Sequence, residues 1–299
     1  MSIANTAQAE HWNTGEAVAH WVDNQARYDR MNAPFAAMIL DAAGLRPGEN
    51  VLDVGCGCGG TTLAAARLIA PGQAVGLDLS GPMLARARAD AGAAGLGNAV
   101  FRQGDAQVHP LEPARFGTVL SRFGVMLFAD PVAAFANIRS ATRPAGRLVF
   151  VCWQPLAANQ WLLVPGAALA EHVPPADFGS GDGPGMFAFA DPDRIRQILA
   201  AAGWLDVEIT SEHASILVGG GGSIDDAVEF LRTASMGRTM LAGADASTAN
   251  RAIASVRAAL SPYADADGVH LGAAVWLVQA VAPAVQAGGP VQDDLLDRH

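Results

Sequence analysis

Val51-Leu52-Asp53-Val54-Gly55-Cys56-Gly57-Cys58-Gly59-Gly60 runs straight into Thr61-Thr62-Leu63-Ala64-Ala65-Ala66-Arg67. An apolar run of strand length, a glycine-dense turn and a helix start follow one another without a gap. Glycines at such a turn bring backbone N–H groups close to a ligand. Gly55, Gly57 and Gly60 also satisfy G-x-G-x-x-G, which leaves a dinucleotide site open. Asp53 weighs against it. A dinucleotide places its pyrophosphate at the turn, against the helix N-terminus, and a carboxylate two residues before the first glycine repels it. The same carboxylate suits a cofactor carrying an ammonium and a sulfonium.

Strand and helix alternate outward from this turn. Val51–Val54 reads as the first strand, Gly60–Ala70 as a helix stopped by Pro71-Gly72, Ala74–Leu79 as the second strand and Pro82–Ala94 as a helix. Val100–Gln103 and Thr118–Ser121 are the next strands. Asp130-Pro131 places an N-cap acid before a proline at the first helical position, and Arg147–Trp153 is the fifth strand. This is the signature of an α/β fold, an open parallel sheet with helices on both faces. Ahead of the turn, Gln8–Ala42 reads as two short helices carrying Trp21, Gln25, Tyr28 and Asp29 at helical spacing. After it, 154–190 is Pro- and Gly-rich with one short apolar helix. Asp191-Pro192-Asp193 opens a helix with Ile195, Ile198 and Leu199 inward. Leu205–Val218 is a strand, Gly219–Gly222 a hinge-like run, Ser223–Ser261 helical and His270–Ala282 the last strand.

Composition narrows the function. The chain has 299 residues, 51% of them hydrophobic, enough for one large domain with insertions. All 19 basic residues are arginine, which excludes lysine Schiff-base and lysine-base chemistry within the chain. The formal charge of −10 disfavours a phosphate backbone, so nucleic acid is not an expected partner. The first residues lack a secretory signal and no apolar stretch spans a bilayer, so a cytoplasmic protein without a membrane partner is expected. Three cysteines make no disulfide framework, and Cys56-X-Cys58 has no further metal ligand nearby, so no metal is expected.

Two more acids follow Asp53 at successive strand ends. Asp78 is placed to accept from a ribose diol, with Leu79 and Met83 positioned to flank an adenine ring. Asp105, in Gly104-Asp105-Ala106, is placed to accept from an adenine amino group. Singly, each acid reads equally well as a cap or turn former; together, beside a glycine turn, they read as a cofactor site.

VLDVGCGCGG, VGLDLS, QGDAQ and RPAGRLVFVCW, in that order, resemble the motifs of class I S-adenosylmethionine-dependent methyltransferases, most closely the ubiquinone/menaquinone-biosynthesis type acting on small molecules. The resemblance covers Val51–Trp153 strongly and the rest loosely. It implies a Rossmann-like, seven-stranded, mostly parallel sheet whose last strand is antiparallel, with an N-terminal helical lid and helical inserts late in the chain. Asp53, Gly55 and Gly57 would then surround the methionine part, Asp78 the ribose, and Asp105 with Ala106 the adenine. Trp21, Gln25 and Ser121 complete the expected cofactor contacts. The organisation expected on this basis is a lid over 1–44, a cofactor-binding core over 45–153, a substrate-shaping insert over 154–190, a core helix and strand over 191–222, a helical insert over 223–262, the last strand over 263–283 and a tail over 284–299.

Ser121-Arg122-Phe123-Gly124 departs from the tetrad of nucleobase amino methyltransferases, and the thiol sets and acid clusters of arsenic- and catechol-type enzymes are absent. A small, apolar or aromatic acceptor remains, with O-methylation favoured over C- or N-methylation. Its expected walls are Trp12, Phe123, Met126, Trp153 and Trp161, with Trp21 and Phe128. His20 is the expected base, ahead of His109 and His172. Arg122 would hold an acceptor carboxylate or phenolate, or pair with a structural acid. A nicotinamide-dependent dehydrogenase and a non-catalytic cofactor-binding protein are the competing readings, and a homodimer is a candidate assembly.

Overall fold

The computed structural model describes residues 2–175 and 183–284. Four helices precede the first strand: α1 (Thr6–His11), α2 (Gly15–Asp23), α3 (Gln25–Met31) and α4 (Ala33–Ala43). Two were expected. Asn24 and Asn32 break the run into short pieces, because each adopts a non-helical backbone between two helices. α4 is not lid at all. Phe35 and Ile39 are fully buried, so this amphipathic helix is core, and of these four helices α1–α3 are the ones that border the ligand side.

The alternating part follows as β1 (Val51–Val54), α5 (Gly60–Ile69), β2 (Ala74–Asp78), α6 (Gly81–Ala93), β3 (Ala99–Gln103), β4 (Phe116–Arg122), α7 (Pro131–Ala141) and β5 (Thr142–Trp153). β1 is buried along its whole length, as a central parallel strand covered on both faces must be. Asp130 caps α7 by accepting the Ala133 N–H at 3.0 Å, with Pro131 in the first turn. β5 begins five residues earlier than expected. Thr142 pairs with Phe116 before an irregularity, and regular pairing resumes between Arg147 and Thr118, so Pro144-Ala145-Gly146 lies inside the strand rather than ahead of it.

The remaining elements are α8 (Gln160–Ala170), α9 (Pro192–Ala201), β6 (Leu205–Leu217), α10 (Ile224–Thr233), α11 (Ser235–Leu241), α12 (Ala246–Leu260) and β7 (His270–Val281). The helical stretch after residue 223 is thus three helices, α10 separated from α11 by the extended Ala234. α9 buries Ile195, Ile198 and Leu199 as its spacing requires. Gly219–Gly222 is not a hinge: Arg27 Nε donates to Gly219 O and Arg30 Nε to Gly220 O, both at 2.7 Å. Most of the tail and part of the 154–190 insert lie outside the described residues.

The seven strands form one sheet in the order β3-β2-β1-β4-β5-β7-β6, parallel through β5, with β7 antiparallel to both neighbours. Chain direction across the sheet reverses between β1 and β4. In an open sheet the ligand crevice lies beyond the carboxyl ends of the strands at that point. No helix among the described residues is long and apolar enough to cross a membrane.

Candidate active site

At that crevice the backbone is crowded by design of the sequence. A Cβ on Gly55 would lie 2.6 Å from Gly124 Cα, so the turn after β1 and the turn after β4 touch, and only glycine fits. Gly57 is the opposite case. Its φ is +53° and a Cβ there would meet only Met83 Sδ at 3.8 Å, so the turn presents bare backbone to open space. That space is a cavity of about 520 Å³, within the range of small-molecule sites.

The three acids at the strand ends differ in what holds them. Asp53 is 1% exposed, and its Oδ2 accepts the Thr62 hydroxyl at 2.6 Å. Burial pushes its carboxyl up to about 6, while the Thr62 hydroxyl and Arg122 pull it back down. Asp78 bridges two turns: Oδ2 accepts the Gly57 N–H at 2.7 Å and Oδ1 the Ser80 N–H at 2.8 Å. Burial raises its carboxyl and these backbone bonds oppose the rise. A carboxylate has about four lone-pair positions, so Asp78 keeps two.

Asp105 keeps none. Oδ2 accepts the N–H groups of Ala4 and Asn5, each at 2.8 Å, and Oδ1 accepts Asn5 Nδ2 at 2.6 Å and the Gln107 N–H at 3.0 Å. The expectation that Asp105 accepts from an adenine amino group is therefore corrected: it borders the cavity, but its acceptor capacity is spent on the N-terminal segment. Ser121 is corrected as well. It is fully buried, donates to Val54 O at 2.7 Å and accepts the Gly124 N–H at 3.2 Å, and does not border the cavity. It ties the end of β1 to the turn after β4.

Of the other sequence candidates, Trp21, Gln25, Leu79, Met83 and Ala106 border the cavity, as do Trp12, Phe123, Met126, Phe128, Trp153 and Trp161. Two stacked pairs stand out. Trp21 lies on Tyr28 at 3.7 Å and 8°, and Phe123 on Trp153 at 4.1 Å and 7°. Phe123 reaches this position with a left-handed backbone, φ +65°, a conformation that costs an aromatic residue roughly 1–3 kcal/mol. Arg122 Nη2 reaches Asp29 Oδ1 at 3.1 Å, so the structural-acid alternative holds for it, at the cavity wall.

The histidine expectations fail. His20 lies behind Tyr28 and against Phe230, with ring centroids 5.9 Å away in each case, and does not reach the cavity. Burial, with Arg238 and Arg27 adding, depresses its pKa. His109 packs on Gly104 outside the cavity, and His172 contacts Ser255 Oγ at 2.8 Å. Among the described residues, the histidine that does border the cavity is His11, which carried no sequence signal beyond its place beside Trp12. Asn5, Gln8, Tyr28, Asp29 and Thr61 were also missed. Tyr28 and Asp29 were findable, since they lie three and four residues after Gln25 on one helix face. Phe230, Ser235 and Thr239, from α10 and α11, were not, because only the fold brings them there.

Cys56 packs with Leu84 and Phe101 in a small apolar cluster, and burial pushes the Cys58 thiol up to about 12, so neither is a reactive thiolate. Among the described residues one group of three metal-ligand types lies close together, Asp265, Asp267 and His270. Asp265 Oδ1 there accepts the N–H groups of its own turn and lies 3.5 Å from His270 Nε2.

Residues 51–146 match a family model described as a methyltransferase domain. The chain is similar to nocamycin O-methyltransferase of Saccharothrix syringae, 31% identical over 202 residues that make up 62% of this chain and 72% of that protein. It is also similar to an uncharacterized protein of Mycobacterium tuberculosis, 31% identical over 155 residues. That match takes in 51% of this chain and 56% of the mycobacterial protein, so the chain spans about half the length of that relative. Among solved structures it is similar to the YcgJ protein from Bacillus subtilis, with a TM-score of 0.56 and 16% identity over 84% of this chain and 99% of the other. Geranyl diphosphate C-methyltransferase from Streptomyces coelicolor A3(2) gives a TM-score of 0.50 and 16% identity over 85% of this chain and 80% of the other. At these identities the structural likeness bears on the fold.

Proposed function

Because the chain belongs to the class I S-adenosylmethionine-dependent methyltransferases, we propose that it methylates a small apolar or aromatic acceptor, at oxygen ahead of carbon or nitrogen. Membership removes the dehydrogenase reading. The observation that carries the choice of acceptor is the pair of aromatic stacks, Trp21 on Tyr28 and Phe123 on Trp153, bordering the same cavity as the glycine turn. Flat apolar walls favour a flat apolar guest. The nocamycin relative is an O-methyltransferase, which supports oxygen as the methylated atom.

The residues present fit the cofactor at two of its three parts. Gln25 Oε1 and Thr61 Oγ1 are buried, lack any hydrogen-bond partner, and belong to residues that border the cavity. Buried polar atoms are rarely left so, and together with Asp53 they suit an amino-acid moiety. Asp78, with two acceptor positions free, suits a ribose diol. The adenine would be held by Leu79, Met83 and Ala106 through contact, since Asp105 is saturated.

When bound, S-adenosylmethionine supplies a methyl group on a sulfonium, open to in-line displacement. The chain's own contribution is to orient and to exclude water. Phe123 and Trp153 would position a planar acceptor, Asp78 would fix the other reactant through the turn it braces, and Asp53 would do so through its charge. Positive charge disperses during displacement, so a dry wall is better than a polar one. An acceptor that ionises near neutrality needs no base; otherwise His11 is the histidine in place for it. The test is incubation with S-adenosylmethionine and a panel of phenols, hydroxyquinones, amines and sugars, read by mass spectrometry. Methyl gain confined to aromatic hydroxyls is the expected result. Turnover of sugars or amines in preference to them would overturn the acceptor assignment.

A further inference from the structure

The saturation of Asp105 is not required by its place at a strand end. Three of its four donors come from Ala4 and Asn5, about a hundred residues away. Asn5 is 4% exposed, and its Oδ1 accepts the Ala129 N–H, so one side chain joins the N-terminal segment to the end of β3 and to the approach to α7. Asn13 repeats the arrangement at the far end of α1. Its Nδ2 donates to Leu79 O at 3.0 Å and its Oδ1 accepts the Gly81 N–H at 2.9 Å. Between these two pins Gln8, His11 and Trp12 border the cavity. Yet α1 buries none of its residues. The segment is pinned by polar bonds at its ends, with Trp12 set edge-on against Trp21 at 6.1 Å but no buried apolar face on α1, and an attachment made mostly of polar bonds can release without disturbing the core.

We propose that residues 4–14 form a latched gate over the cofactor, and that Asn5 is a positioning residue which sets the rate of cofactor exchange by engaging Asp105. This rests on the reading of the cavity as the cofactor site. In the closed form Gln8, His11 and Trp12 complete the wall and keep water out during transfer. Entry of cofactor and exit of the demethylated product both require the Asn5–Asp105 bonds to break. A latch that closes over the free and the loaded cavity alike slows both directions, so weakening it speeds both and moves affinity less than either rate.

Stopped-flow fluorescence with S-adenosylhomocysteine tests this, with Trp12 and Trp21 as reporters beside the cavity. Asn5→Ala removes a hydrogen bond to a charged group, and both association and dissociation are expected to accelerate by roughly tenfold or more. Asn5→Asp, which sets two carboxylates against each other, is expected to match or exceed that. Combining Asn5→Asp with Asp105→Asn restores the side-chain pair with its roles exchanged, at the loss of the Gln107 N–H bond, and is expected to slow both rates part of the way back toward wild type. Thermal unfolding confirms that each variant is folded. Faster dissociation with unchanged association would reduce Asn5 to a piece of wall and overturn the gate, as would unchanged rates in both directions. Failure of the wild type to bind would overturn the cofactor reading itself, a different outcome from either.

Discussion

Replacing Asp53 with Asn should make the protein more stable and a worse enzyme. The carboxyl is 1% exposed and its pKa is raised from the ordinary 3.8 to about 6, chiefly by burial. The folded state therefore binds the Asp53 proton more tightly than the unfolded state does. Between pH 3.8 and about 6 stability falls as pH rises, and above about 6 the loss is complete. A shift of about two units corresponds to about 3 kcal/mol of destabilisation at pH 8. At pH 5 the same linkage leaves about half of that. Asn cannot ionise, and its carbonyl can still accept the Thr62 hydroxyl that Asp53 now accepts at 2.6 Å, so the variant should recover most of the penalty. Urea unfolding without cofactor should show Asp53→Asn more stable by up to about 3 kcal/mol at pH 8, with the gain narrowing by about half at pH 5. Calorimetric titration at pH 8 should show S-adenosylmethionine affinity reduced at least about tenfold, because a charge facing a cation is gone. A variant less stable than wild type at pH 8, or a gain that grows as pH falls, would refute the burial argument. Unchanged affinity would refute the placement of Asp53 beside a cationic group.

Three further outcomes follow from the same geometry. Asp78→Ala loses two free acceptor positions and the brace on the Gly57 and Ser80 N–H groups; titration should show cofactor affinity down by roughly ten- to a hundredfold, and an unchanged value in a folded variant would sink the ribose role. Trp153→Ala removes half of a stack at the cavity wall, so steady-state kinetics should show the acceptor KM raised roughly tenfold, from about 0.5–1.5 kcal/mol of ring contact plus lost burial, with cofactor affinity unmoved. His20→Gln should leave kcat within about twofold and the pH–rate profile unshifted, since a lost general base would cost roughly a hundredfold or more; a large drop with an altered acid limb would return His20 to the chemistry.

The sheet was legible because its signals are local. Val51–Val54 is apolar throughout and is buried throughout, Asp130-Pro131 caps a helix as that pair does, and the antiparallel last strand came with the family pattern. The misreadings have a shared physical cause, in that each depended on a partner distant in sequence. The end of β4 suggests a ligand contact for Ser121, yet Val54 O, 67 residues away, takes its hydroxyl. The place of His20 on a lid helix suggests a base, but the ring faces Tyr28 and Phe230, and Phe230 belongs to a helix about two hundred residues later. α4 looked like lid because nothing in its own residues says that β4 and β5 wait to cover Phe35 and Ile39.

Asp53, Asp78 and Asp105 show what a pattern of like residues conceals. In the sequence they are three equivalent acids at three strand ends. In the fold they are separated by how many acceptor positions remain: about three for Asp53, two for Asp78, none for Asp105. Capacity to bind a ligand follows that count and not the residue type. Asp53 is buried with Thr62 as its hydrogen-bond donor and so holds its charge at a cost, which an incoming cation would relieve. Asp78 divides itself between the turn it shapes and the hydroxyls it would meet. Asp105 borders the cavity but spends its acceptor positions on Ala4, Asn5 and Gln107, which ties the N-terminal segment to the end of β3 at that side.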